Sequence, residues 1–267
     1  MKRVRWIAIG LLALVFLGAL GASFIAPASY EKQFREDPDH PPSRQYPLGT
    51  DDLGRDRLSR LLYGMRISLL LAPAAALIAT LLAAIIGGAG AYAGGMWDQF
   101  TRAFIDLFLS LPWLFLLLTV RAVLPLNIPV IASVAITFAL LGTLGWAASA
   151  RVVSAAVREM RNSEFVLQAR AAGCGRWRLL FAHVLPNVRP ILLAQFWISV
   201  PLFILTEANL GMLGLGVTEP LPSWGNLLRE LENYSALADS PWLWAPLVSL
   251  FVVVSLFQFA LGEGEYA

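Results

Sequence analysis

The chain has 267 residues, of which 58% are hydrophobic and only 14% charged. So little charge cannot cover a soluble domain of this length, whereas about six membrane helices of roughly 20 residues would fit with their loops. A formal net charge of +2 gives no reason to expect nucleic acid, and a single cysteine, Cys174, excludes an intramolecular disulfide or a thiolate metal cluster.

The first apolar run follows Lys2, Arg3 and Arg5 and carries no charge from Trp6 to Tyr30. A signal-peptide core is about 7–15 residues, so a retained span over 6–26 is expected. The segment 27–66 holds seven basic and seven acidic residues. From Asp51 it reads as an amphipathic helix, with Leu58, Leu61, Leu62 and Met65 on one side, lying in the membrane interface. The second span falls inside 67–97, the third between Arg102 and Arg121 with Asp106 in it, and the fourth over 129–150. The fifth runs from Pro190 past Thr206, and the sixth covers 241–262. In hydrocarbon each backbone polar group must be satisfied within its own element, so these runs become helices and the chain is all-α. Pro73, Pro112 and Pro201 should bend their spans. Gly90 and Gly94, among a cluster of glycines, have the spacing of close helix packing.

Basic residues set the orientation. With the N-terminus inside, the inner segments hold eleven of the twenty Lys and Arg, while the loop 217–240 sets Arg229 against Glu219, Glu230, Glu232 and Asp239. The expected topology is N-in, C-in. The seven bases of 27–66 run against this count and are assigned to the headgroup level.

The segment 151–190 is the longest charged stretch on the inner side. Asn162 or Ser163 can cap a helix, with Glu164 near its positive end. Phe165, Val166, Ala169 and Ala172 share one face. Gly173 and Gly175 should break that helix, and a second over 176–184 should end at Leu185-Pro186. Two short helices about a glycine hinge suit docking into a partner's groove. An amphipathic loop lying on lipid headgroups accounts for the same residues equally well.

Four motifs carry a resemblance. Gln168-Ala169-Arg170-Ala171-Ala172-Gly173, with Leu185-Pro186 twelve and thirteen residues after the glycine, is similar to the EAA loop of ATP-binding-cassette importer permeases. Leu48-Gly49-Thr50-Asp51-Asp52-Leu53-Gly54-Arg55-Asp56, continuing to Tyr63-Gly64-Met65-Arg66-Ile67-Ser68-Leu69, resembles the segment before the second span in the dipeptide, oligopeptide and nickel permeases. His183-Val184-Leu185-Pro186-Asn187 looks like that subfamily's version of the loop. Leu213-Gly214-Leu215-Gly216-Val217 with Pro220-Leu221-Pro222-Ser223-Trp224-Gly225-Asn226 looks like its outer loop. The resemblance spans roughly 45–262, in the family's order. It departs at Leu167, where the family's glutamate would stand, and at Gln168, in place of the first alanine.

The resemblance implies a type I ABC-importer permease, multi-pass in the bacterial or archaeal cytoplasmic membrane. Residues 1–66 would hold the first helix and the interfacial segment. Residues 67–262 would be a five-helix core with coupling loop 151–190 and outer loop 217–240, and 263–267 a short cytoplasmic tail. It further implies contact with an ATPase through Ala169, Arg170, Ala171, Ala172, Gly173, His183, Leu185, Pro186 and Asn187. The implied partners are a second homologous permease, two cytoplasmic ATPase subunits and a periplasmic or lipid-anchored solute-binding protein, all within or against the lipid bilayer. The chain has no G-x-x-x-x-G-K-[ST] phosphate loop. No cofactor is expected on it, and ATP and Mg would sit in the partner subunits. Gln195, Ser199 and Thr206 in the fifth span are candidates for the translocation path.

Two other classes of membrane protein bear comparison with the sequence. A secondary transporter or channel would use Asp106 and Glu207 as a relay, yet no inverted repeat accompanies them. An intramembrane protease would need a histidine in a span to partner Ser110 or Ser149, and His40 and His183 both fall outside the expected spans.

Overall fold

The computed structural model describes residues 2–123, 129–232 and 240–262. The expected tail 263–267, and the part of loop 217–240 that holds Asp239, lie outside the described residues. In chain order the helices are α1 (Lys2–Leu20), α2 (Ala22–Ile25), α3 (Arg57–Leu82), α4 (Ala89–Ala93), α5 (Gly95–Ser110), α6 (Trp113–Val123), α7 (Val130–Leu144) and α8 (Ala147–Arg161). They continue as α9 (Glu164–Ala171), α10 (Arg176–Leu179), α11 (Leu185–Met212), α12 (Trp224–Leu228) and α13 (Ala245–Leu261). Wide π-helical turns at Ala83–Gly88 and Leu180–Val184 join α3 to α4 and α10 to α11. Among the described residues no strand forms beyond two isolated bridges.

Five helical runs are long and apolar enough to cross a membrane: Arg3–Leu20, Arg57–Ala93, Val130–Arg161, Arg176–Met212 and Pro241–Leu261. The pair Gly95–Ser110 and Trp113–Val123, bent by 77°, makes a sixth if it counts as one span. The chain is an all-α polytopic membrane protein. The 77° bend sits at Leu111-Pro112, whereas α3 and α11 run on through Pro73 and Pro201 as helix. Of the three prolines expected to bend their spans, only Pro112 stands at a break in the helix.

The chain packs as two compact units. One comprises Met1–Ala72, Arg121–Phe138 and Pro201–Ala267; the other comprises Pro73–Val120 and Ala139–Val200. In the first, α1 packs along α13, with Phe16 edge-on to Phe257 at 6.4 Å. The Trp224 indole donates to Ser249 Oγ at 2.9 Å and ties α12 to α13. No separate interfacial helix forms from Asp51. Residues Arg57 onward are already the start of α3, and the border expected at 66/67 falls inside it. Asp56 caps this helix: its carboxylate accepts from the Ser59 amide at 2.7 Å and the Ser59 hydroxyl at 2.6 Å.

In the second unit α8 lies against the turn Ala83–Gly88. The approach is so close that a Cβ on Gly87 would sit 2.6 Å from the Ala150 carbonyl oxygen. The expected Gly90–Gly94 packing pair is therefore split. Gly90 lies against Thr101, while Gly94 (φ +73°) makes the turn into α5. The loop expected over 151–190 also shrinks, because 151–161 belong to α8 and 176 onward runs into α11. Helix α8 can carry its arginines because neighbouring carboxylates and a carbonyl engage them. Arg151 pairs with Asp106, Arg158 stands 3.6 Å from Asp98, and Arg161 donates to the Ala91 carbonyl at 2.9 Å.

Candidate functional site

Between the spans ending at Arg161 and beginning at Arg176 stands one short helix, α9. Ser163 is its N-cap residue in extended conformation, with the amides of Val166 and Leu167 bonded to the Ser163 carbonyl. Glu164 in the first turn faces the positive end of the helix dipole. At the other end the Gly173 amide donates to the Arg170 carbonyl at 3.0 Å and the Cys174 amide to the Ala169 carbonyl at 3.0 Å. This doubly bonded stop requires a left-handed residue after the last helical turn, and Gly173 supplies it at φ +83°. A Cβ there would meet no atom within 4 Å, so conformation rather than space demands the glycine.

The expected apolar face of α9 is divided. Val166 is fully buried, while Phe165 and Leu167 stand exposed. Leu167, where the resembled motif has its glutamate, therefore points outward. Trp177, 75% exposed, stacks on Phe181 at 6.3 Å. The second expected helix does not end at Leu185-Pro186; those residues open α11. Pro186 has no amide to give and its ring needs room in the preceding turn, which the wide turn Leu180–Val184 provides. Asn187 reaches back past the proline, donating from Nδ2 to the His183 carbonyl at 2.6 Å. Ala169 to Gly173 thus form the end of one short helix, while His183, Leu185, Pro186 and Asn187 sit at the foot of a long one.

The three path candidates differ. Ser199 and Thr206 are buried and donate back to the carbonyls of Gln195 and Leu202, each at 2.8 Å, so both hydroxyls serve their own helix. Gln195 is half-buried. Asp106 pairs with Arg151, while Arg102 stands 3.4 Å from Asp98. Glu207 is fully buried and accepts from the Ser68 hydroxyl at 3.1 Å.

Sequence reasoning missed a clasp between two of its own motifs. Arg55, just before α3, and Arg60, in its first turn, each place a guanidinium nitrogen 2.8 Å from the Glu219 carboxylate. Asp51 Oδ2 holds Arg55 Nε at 2.7 Å, and Asp51 Oδ1 accepts the Arg55 amide at 2.7 Å. Burial by itself lowers the Arg55 pKa, and the bonds and charges of Asp51 and Glu219 more than reverse it, leaving it above its ordinary value. Arg57 pairs with Glu230. Arg55, Arg57 and Arg60, three of the seven bases assigned to the headgroup level, are thus engaged in ion pairs within the protein. The opposite charges of the two motifs were the available signal, but their pairing depends on tertiary proximity. Arg121 was also missed. It is buried in α6, donates to Ser133 Oγ at 3.1 Å, and its Nε and Nη1 have no partner among the described residues.

The family model described as "Binding-protein-dependent transport system inner membrane component" matches residues 77–262. The chain belongs to this family. It is similar to the oligopeptide transport system permease protein OppC of Bacillus subtilis (strain 168), at 33% identity over 98% of this chain and 84% of that one. The dipeptide transport system permease protein DppC of the same strain is 31% identical over 99% and 81%. The di/tripeptide transport system permease protein DppC of Pseudomonas aeruginosa (strain UCBPP-PA14) is 34% identical over 94% and 82%. Family membership makes this permease the inner-membrane component of a multi-subunit transport system, located in the cytoplasmic membrane. It leaves the reading as a self-contained secondary transporter without support.

Proposed function

We propose that this permease forms half of the translocation pathway of an ATP-driven peptide importer, coupled to ATPase subunits through α9. The observation that carries the reading is the short helix itself. It stands between two long spans, is closed at a fixed point by Gly173, and presents Phe165 and Leu167 outward. A rigid helix with an exposed apolar edge suits a hydrophobic groove on a partner. The residues of the contact would be Ala169, Arg170, Ala171, Ala172 and Gly173, with His183, Leu185, Pro186 and Asn187 supporting it from the foot of α11. Because Leu167 takes the place of the motif glutamate, the contact would rest on shape and apolar burial at that position. ATP and Mg would bind in two cytoplasmic partner subunits. Their closure would draw α9 and its counterpart on a second permease together and tilt the spans.

Peptides are proposed as substrates because the relatives above carry peptide transport in their names. The clasp of Arg55, Arg60 and Glu219 would face the solute-binding protein and hold the outer loop in register for it. Gln195 is the stronger path candidate, since Ser199 and Thr206 give their hydroxyls to their own helix.

The test is co-purification in mild detergent followed by reconstitution. The permease should bring a second permease and an ATPase pair, and the proteoliposomes should take up labelled di- and oligopeptides only with ATP and the binding protein. A permease that purifies without ATPase subunits under conditions that keep it folded would overturn the reading.

A further inference from the structure

Two concavities of the second unit take lining residues from both α4 and α8 and from the chain neighbours Leu179 and Leu180. The first, about 260 Å³, is lined by apolar residues, among them Ala89 on α4, Val157 on α8 and Leu180 on the turn before α11. The second, about 450 Å³, contains Tyr92 and Arg161, one turn further along α4 and α8, and Leu179 at the end of α10, together with Arg170 and Arg176. No carboxylate lines it among the described residues. Arg161 is fixed by its bond to the Ala91 carbonyl, and the Tyr92 hydroxyl donates to the Arg176 carbonyl, so the rim of this basic cavity is stitched together. Arg170 and Arg176 are exposed, and no ion pair engages either among the described residues. Gly94 and Gly95, at the start of α5, complete the lining of this cavity.

An apolar groove beside a three-arginine cavity has the polarity of an anionic amphiphile. We propose that this is a binding site for an anionic phospholipid of the inner leaflet, with its phosphate among Arg161, Arg170 and Arg176 and an acyl chain in the groove past Ala89 and Val157. Basic pockets between spans on the cytoplasmic side hold such headgroups by charge, while the chain supplies apolar burial. A soluble phosphate would leave the groove unused, and an acidic side chain of a protein partner would likewise fill only the basic half. The leaflet assigned rests on the N-in orientation of the proposed function; the lipid preference does not. Because Arg170 and Cys174 belong to both the cavity and the end of α9, the lipid would also brace the coupling helix.

The test uses the intact transporter purified in detergent. Native mass spectrometry would read phosphatidylglycerol against phosphatidylcholine retained by wild type, by Arg161→Gln/Arg176→Gln, and by Ala89→Phe, which fills the groove from an exposed position. At about 1 kcal/mol per arginine, the double variant should lose the preference for phosphatidylglycerol by about 30-fold and Arg176→Gln alone by about fivefold. Ala89→Phe should lower retention of the lipid with the arginines intact. The single variant Arg176→Gln serves if the double variant fails to assemble, because that side chain is exposed. Unchanged preference in the arginine variants overturns the proposal. So does displacement of the lipid by inorganic phosphate with Ala89→Phe behaving as wild type, which would mark a free-anion site. Lipid binding seen only after the ATPase subunits are removed also overturns it, since a partner's acidic group would then be the occupant.

Discussion

Replacing Gly173 by alanine and, separately, by asparagine distinguishes conformation from size at the end of α9. Gly173 holds φ +83°, which lets its own amide close the Arg170 carbonyl and the Cys174 amide close that of Ala169, with nothing within 4 Å of where a Cβ would stand. A Cβ residue in the left-handed region costs about 1–2 kcal/mol, and asparagine offsets part of that through local hydrogen bonding. At about 1.4 kcal/mol per tenfold, alanine should reduce the population of the closed cap by about 5–30-fold. Asparagine, though bulkier, should reduce it less. The assay is peptide uptake per ATP hydrolysed in proteoliposomes holding the complete transporter, read alongside protein insertion and assembly. Alanine should lower the ratio more than asparagine, and valine, β-branched and poorly suited to positive φ, should lower it most. An order that follows side-chain volume, with alanine better than asparagine, would refute the conformational argument. Normal coupling in the valine variant would refute the role of α9.

Further outcomes follow from the packing and the ion pairs. Glu219→Gln removes the charge shared by Arg55 and Arg60; with Glu219 half-exposed, the cost should be nearer 2 kcal/mol than the 3–5 of a fully buried pair. A lowered melting temperature in detergent checks it, and no change would mean that Asp51 alone holds both arginines. Gly87→Leu should prevent α8 from closing on Ala83–Gly88 and lower the yield of folded protein, as judged by size-exclusion chromatography. Arg121→Met should raise the melting temperature, because it removes a buried guanidinium whose Nε and Nη1 have no partner among the described residues. Burial and its hydrogen bond to Asp37 push the Tyr46 phenol above its ordinary value. Its contribution to stability should be intact below about pH 10 and fade as pH rises through the raised value. The ultraviolet difference titration between wild type and Tyr46→Phe should show this, and a midpoint below about pH 10 would contradict it.

Much of the architecture was legible because the bilayer imposes a simple rule. Each uncharged run of about twenty residues must become a helix, and all six expected runs coincide with helices, allowing the bent pair Gly95–Ser110 and Trp113–Val123 as one. Local chemistry also placed the start of α9 at Ser163 and its stop at Gly173, although the Ser163 hydroxyl donates to the Met160 carbonyl instead of accepting from the first turn. Charge misled where it was judged by sequence position. Arg57 and Arg60 were sent to the headgroups, and Arg151, Arg158 and Arg161 to a loop, because their partners Glu230, Glu219, Asp106, Asp98 and the Ala91 carbonyl are distant in sequence.

The sequence by itself determined the membrane class, the family and the position of α9, since these depend on composition, run length and short motifs. Only the tertiary structure decided which charges are neutralised, that α10 and α11 form one continuous run through a π-turn, and that a three-arginine cavity adjoins an apolar groove. Those features depend on groups brought together from separate helices, and hydropathy along one chain carries no record of such pairings.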